Sequence, residues 1–345
     1  MKARGEAIVS AEHPRQTTVL FGHDQAEHAL LDAYRSGRIP HAWLVCGPQG
    51  IGKATLAYRL ARFVLAHPDP AAPTVQQAAS LEVDGAHPVA RQIATGAHGG
   101  LLTLERSVND KGVLRSVITV DETRETISFF GSTAAADGWR ICVVDSVDEL
   151  NANAANALLK ILEEPPRRSI LLLLSHAPGK VLPTIQSRCR KLALRPLATS
   201  DVIEAAAAAT HTPMDDEALV SAAGVSEGSV GRVVSLLGGN ALKLHQRTAE
   251  LLQSLPHVDA RELHTLGDAL GGSDRTTLAA FTDSIDRWMT ARLRGDITNA
   301  DLRQLARLAE VWEKINRAAR DVESFNLDRK PLVFSVFGLL SEAMR

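Results

Sequence analysis

"AWLVCGPQGIGKATLAYRL", residues 42–60, decides the fold. The run Ala42 to Cys46 reads as a strand buried on both faces, the mark of an inner strand in a parallel sheet. The turn after it, Gly47-Pro48-Gln49-Gly50-Ile51-Gly52-Lys53, has the spacing G-x-x-x-x-G-K and runs straight into a helix. Its glycines let the backbone point N–H groups at phosphate oxygens, Lys53 adds a point charge, and the helix adds its positive end. Strand, turn and helix in that order are the context a phosphate loop requires. The candidate nucleotide-binding set is Gly47, Gly50, Ile51, Gly52, Lys53, Ala54 and Thr55.

Position 54 departs from hydrolytic chemistry. Magnesium in such loops is held by the Ser or Thr after the Lys and by an Asp ending a second strand. Ala54 has no hydroxyl, and Thr55 lies about 100° further round the helix. Asp145, which ends "RICVVD", fits the Asp role, but Ser146 stands where a water-activating Glu is expected. Losing a general base typically lowers a rate by about 10² to 10⁴. Asp148 and Glu149 are close in sequence, yet a strand end followed by a turn does not aim either at the same water. The pattern points to a chain that binds ATP or ADP, holds Mg²⁺ weakly or not at all, and hydrolyses nucleotide poorly.

Outward from the loop, "RICVV" (140–144) and "SILLLL" (169–174) repeat the buried-strand pattern. Residues 67–112 are rich in Pro, Gly and small residues without a steady period, and read as an irregular insert. "NANAANALLKILEEPP" (151–166) is helical, with Ala154, Ala157, Leu158, Ile161 and Leu162 recurring at three and four and the Pro pair stopping it. Three short helices follow from Pro196, and "GGN" (238–240) reads as a hinge. Beyond it the pattern is all helical, with an apolar stripe of Leu305, Leu308, Ala309, Trp312, Ile315, Ala319 and Val322, and a capping box at Thr298 and Asp301.

Composition sets the outer bounds. The 345 residues carry 38 basic and 40 acidic side chains, and 45% are hydrophobic, as in an ordinary globular protein of two or three domains. A net charge of -2 lacks the basic excess needed to grip many phosphates alone, so any DNA contact is expected to be local or shared with partners. The longest aliphatic run, "ILLLL" (170–174), is far short of the roughly 20 residues of a membrane span, and a cytoplasmic chain is expected. Cys46, Cys142 and Cys189 form no C-x-x-C pair, so neither a zinc module nor a disulfide framework is readable.

Four segments together carry a resemblance: "SGRIPHAWLVCGPQGIGKATLAYRLARFVL", "VITVDETRET", "WRICVVDSVDELNANAANALLKILEEPP" and "LPTIQSRCRKLALRPL". They resemble the clamp-loader subunits of bacterial DNA polymerase III, which are AAA+ proteins, over the first 240 residues; "FNLDRKPLVFSVFGLL" fits the family's helical end more loosely. The resemblance implies an α/β fold: an AAA+ P-loop parallel-sheet domain (1–196), a helical lid (197–240) and an all-α collar for oligomerisation (241–345). It implies partners, namely other clamp-loader subunits (gamma/tau and delta), the sliding β clamp, and primed DNA reached through the assembly, within a polymerase holoenzyme. It assigns Arg188, in Ser187-Arg188-Cys189, as an arginine finger acting in a neighbouring subunit's site, although spacing alone reads it equally well as a helix-end cap.

Ser175 falls where the family has a polar sensor of the γ-phosphate, and a Ser ending a strand is also an ordinary turn residue. The family's four-cysteine zinc module has no counterpart here, since no Cys lies between 46 and 142, and no zinc is expected. Its hydrolysing members place an Arg two residues after the lid's Gly-Ser; in "GSVGRVV" Gly231 holds that place and Arg232 follows. Two other classes compete on residues alone. An independent ATPase or a phosphoryl-transfer enzyme acting on a small substrate predicts turnover by the isolated chain and is disfavoured by Ala54 and Ser146. A DNA-binding regulator predicts tight DNA binding alone, which the near-neutral charge argues against.

Overall fold

The structure, a computed structural model, describes residues 12–107, 115, 117–131, 138–271, 275–294, 302–325 and 327–344. These fall in two compact units, one ending at Arg232 and one beginning at Val233.

The first unit is built on five parallel strands in the order β2-β3-β4-β1-β5: β1 (Ala42–Cys46), β2 (Leu101–Glu105), β3 (Arg140–Asp145), β4 (Ser169–Ser175) and β5 (Arg190–Ala193). All seven residues of β4 and all five of β1 are buried, so the apolar runs lie mid-sheet as expected. Successive side chains of a strand face opposite sides. Ile170, Leu172 and Leu174 of β4 accordingly join Trp43, Val45, Ile141 and Val143 in one core. That core packs on α1 (Asp24–Arg35) and α2 (Lys53–Ala66). Leu171 and Leu173 join Leu44, Cys142 and Val144 in a second core on the other face, under α5 (Val120–Gly131), α6 (Ala152–Glu163) and α7 (Pro183–Gln186). The unit is a three-layer α/β/α sandwich.

The 67–112 segment corrects the reading of an irregular insert. It contains α3 (Pro73–Gln76), α4 (Pro88–Ala94) and the edge strand β2, and it places Val75, Leu81, Ile93 and Leu104 in buried positions. Anchoring comes from non-local bonds: Arg35 Nε donates to the Val75 carbonyl (3.0 Å), and Trp139 Nε1 donates to that of Pro68 (2.8 Å). Neither leaves a trace in local periodicity.

Register brings the chemistry to one rim. Cys46 pairs with Ser175, Asp145 with Leu174, and Glu105 with Asp145. The loop after β1, the turn after β3 and the end of β4 therefore emerge side by side at the carboxyl edge, where ligands of open α/β sheets sit. Three helices follow the sheet, α8 (Thr199–Thr210), α9 (Glu217–Gly224) and α10 (Val230–Leu237); α8 ends on His211 in the left-handed region.

The second unit is all helical: α11 (Ala241–Gln253), α12 (Ala260–Leu270), α13 (Arg275–Arg294), α14 (Leu302–Phe325) and α15 (Lys330–Ala343). Leu308, Ile315 and Val322 of the expected stripe are buried, with Trp312 and Ala319 packed against them; Val311 joins them, and Ala309 faces out. Trp312 Nε1 donates to Asp286 Oδ1 (2.6 Å), which satisfies the indole inside the bundle. The side chain of Leu305 and the capping box at Thr298 and Asp301 lie outside the described residues. No described helix is long and apolar enough to cross a membrane.

Candidate functional site

The loop after β1 is held by its carbonyls. Lys53 Nζ donates to Gly47 O (2.8 Å) and Pro48 O (2.6 Å), Ser229 Oγ to Gln49 O (2.9 Å), Gly231 N to Gly50 O (3.0 Å), and His23 Nε2 to Ile51 O (2.6 Å). Five consecutive acceptors are thereby satisfied, and the N–H side of the turn with the start of α2 is the face that suits an anion. The bond to Ile51 O fixes the proton of the His23 ring on Nε2, because a carbonyl only accepts. Gly50 has φ +75°, and a Cβ there would fall 2.4 Å from Ser229 Oγ and 3.1 Å from Gly231 Cα. Only a residue without a side chain allows this approach.

Lys53 is 3% exposed. Burial pushes its ammonium down to about 8, against the opposing pull of Asp145 and Asp148. Two of its three protons serve the loop, which leaves one for a phosphate oxygen. The loop thus fits a phosphate group. The donor set for magnesium is incomplete, since Ala54 is half-buried against the core with no oxygen to offer, and Thr55 is the next residue round α2.

The acids of the turn after β3 are engaged within the chain. Burial raises the Asp145 carboxyl above its ordinary range, with Lys53 pulling it back. Ser146 is buried, and its hydroxyl has no partner among the described residues. Asp148 accepts from Ser175 Oγ (2.7 Å) with one oxygen, and from the His176 and Ala177 backbone N–H groups with the other, the latter at 3.1 Å. Glu149 pairs with Arg106 at 2.9 Å. Both acids that follow the strand closely in sequence are therefore occupied elsewhere, as their expected misalignment with the water suggested, and Ser175 spends its hydroxyl on Asp148. The adjoining His176 ring is pushed down to about 4, chiefly by burial and also by Lys53, so it is neutral at pH 7.

Gly231 sits where the resemblance looks for a lid arginine. A Cβ at 231 would come within 3.0 Å of Gly50 Cα, so that position serves a backbone contact with the loop. Arg232 is buried, with Nη1 3.9 Å from Glu227.

Arg188 lies apart from this rim in its contacts. Nη1 donates to Thr184 O of α7 (2.9 Å), and Nη2 pairs with Glu163 Oε1 at the end of α6 (2.8 Å); the side chain is 36% exposed. The helix-end contact and an accessible guanidinium coexist. Four participants escaped sequence reasoning: His23, Ser229, Asp148 as a brace, and Glu163. Their partners lie 28, 180, 27 and 25 residues away respectively, which no local pattern reveals.

Residues 22–198 match the family described as DNA polymerase III, delta subunit. The chain is 38% identical over 149 residues to the DNA polymerase III subunit delta' of Pseudomonas aeruginosa, covering 43% of this chain and 41% of that protein. It is 29% identical over 231 residues to the Escherichia coli subunit delta' (67% and 64%). It is 27% identical over 330 residues to the Mycobacterium tuberculosis subunit gamma/tau (94% and 54%). Each match spans less than two thirds of the relative's own length. Among solved structures, a DNA polymerase III gamma subunit-related protein from Thermotoga maritima aligns at 16% identity and a TM-score of 0.45, covering 92% of this chain and 99% of that one. With half of its length inside the family's bounds and its P-loop, "LLKILEEPP" and Ser187-Arg188-Cys189 segments among the matched residues, the chain belongs to the DNA polymerase III, delta subunit family.

Proposed function

We propose that this chain works in a clamp-loading assembly by completing a neighbouring subunit's nucleotide site rather than by turning over nucleotide itself. One contrast carries the reading. Apart from Asp145, the groups of this chain that would serve magnesium or water are absent or engaged within it: Ala54 has no hydroxyl, Ser175 is bound to Asp148, and Glu149 to Arg106. Arg188, by contrast, is accessible, and its two bonds use two of five N–H donors.

In this reading the N–H groups of residues 50–55 and Lys53 hold the phosphates of ATP or ADP, Asp145 stands near them, and Mg²⁺ is held weakly or not at all. Ser175 braces the strand end instead of sensing a γ-phosphate. The 67–112 segment carries no zinc, in keeping with its lack of cysteine. The partners are the gamma/tau and delta subunits, and the assembly opens the sliding β clamp and places it on primed DNA in the cytoplasm. Arg188 is the finger, a group worth about 10³ to 10⁵ in turnover of the site it enters.

The test is ATP turnover by the assembly reconstituted with its own partner subunits, stimulated by clamp and DNA. Arg188→Ala should lower turnover at the completed site by about 10³-fold or more, and Lys53→Ala should have a far smaller effect. The reverse pattern would make this loop a working ATPase, either within the loader or as an independent enzyme, a reading that Lys53's spare proton and Asp145 keep in play.

A further inference from the structure

Glu163 occupies a place that helix electrostatics disfavours. It is the last residue of α6, with Glu164 at the C-cap, so two acidic residues stand where the peptide dipoles already leave negative charge. The charge that answers Glu163 comes from outside the helix. Arg188 Nη2 lies 2.8 Å from Glu163 Oε1, and Arg188 Nη1 donates to the Thr184 carbonyl in α7 at 2.9 Å. The guanidinium bridges the ends of two helices and is pinned from two directions in its own plane. Three of its N–H donors remain for another anion, so both anchors can persist while the group donates onward.

We infer that Glu163 is a positioning residue for Arg188, holding the guanidinium in a set orientation before it meets the neighbouring subunit's nucleotide. The inference rests on the finger role proposed above. A free arginine spreads over many rotamers, and its effective action falls with the fraction in the competent one. Because both side chains are partly exposed, the restraint is modest, on the order of a few-fold.

The experiment uses the reconstituted assembly and follows kcat and KM for ATP together with the Tm of the chain. Glu163→Ala should lower kcat about five-fold with KM unaltered, the signature of an interaction made in the transition state. Glu163→Gln keeps an acceptor oxygen at the same reach and should recover most of the loss. The Tm should hold or rise, since a carboxylate leaves a helix C-terminus. In an Arg188→Ala background, Glu163→Ala should have no further effect.

If Arg188→Ala leaves turnover intact, the finger reading falls and this inference falls with it. If Arg188→Ala abolishes turnover but Glu163→Ala is silent, raises kcat, or acts equally without Arg188, the finger stands and the positioning role is overturned. A fall in Tm that tracks the loss of kcat would assign Glu163 to the stability of α6 instead.

Discussion

Two cations of the sheet unit, Lys53 and Arg188, live in opposite surroundings. Lys53 is buried, and its bonds go to carbonyls of the very loop it belongs to; Arg188 is 36% exposed, and its bonds go to the ends of two helices. Desolvation penalises the first charge. A buried ammonium that braces its own backbone acts mainly on the fold, whereas a half-exposed guanidinium with spare donors can act on something outside it. The same division runs through the acids: Asp148 is consumed in bracing the β4 end, while Glu163 pairs with the guanidinium of Arg188.

The largest effect should come from the brace on the Lys53 side. Asp148→Ala strips the Ser175 hydroxyl, which is fully buried, and two backbone N–H groups of a charged acceptor. Bonds to charged groups contribute about 1.5 to 3 kcal/mol each and do not add fully, so a loss of about 3 kcal/mol is expected in urea unfolding of the sheet unit. A change below about 1 kcal/mol would mean that the turn after β3 does not hold this rim.

Lys53 gives a smaller effect with a definite sign in pH. Its folded value of about 8 lies below the ordinary lysine value, so between the two the unfolded chain binds more protons than the folded one. Stability therefore rises with pH through that window, and the burial penalty is fully present below it. Relative to Lys53→Met, which has no such proton, the wild-type chain should gain about 1 to 2 kcal/mol between pH 7.5 and 9.5 in denaturant melts. Parallel curves for the two proteins would show an ammonium that is not desolvated, and the contrast with Arg188 would lose its basis.

How much of this was legible in the sequence follows the same physics. β1, β3 and β4 match the apolar runs to within a residue because strands buried on both faces must be continuously apolar. β2 and β5 went unread because they are the two edges of the sheet. "LLTLE" is mostly half-buried and "RKLA" mostly exposed, so neither shows a burial pattern, and only their pairing with β3 and β1 identifies them. The loop was legible because its chemistry is local, seven residues in one turn. Its supports were not: Ser229 reaches Gln49 across 180 residues and His23 reaches Ile51 across 28, and only the folded chain brings them together.

The smallest effect is the sharpest test of the comparison. Arg188→Ala removes one ion pair and one bond to a helix-end carbonyl, both beside solvent that can replace them. Exposed pairs contribute about 0 to 1 kcal/mol, so the isolated chain should unfold within about 1 kcal/mol of wild type. Glu163 would be left at the negative end of α6 without its partner, but half-exposed to water, which limits that penalty as well. That outcome would fit the finger proposed above, an arginine that matters little to its own chain yet is held in a set place by two bonds. A loss above about 2 kcal/mol would instead make Arg188 a structural clasp between α6 and α7, and any fall in the assembly's turnover would then follow from a damaged subunit rather than from a missing finger.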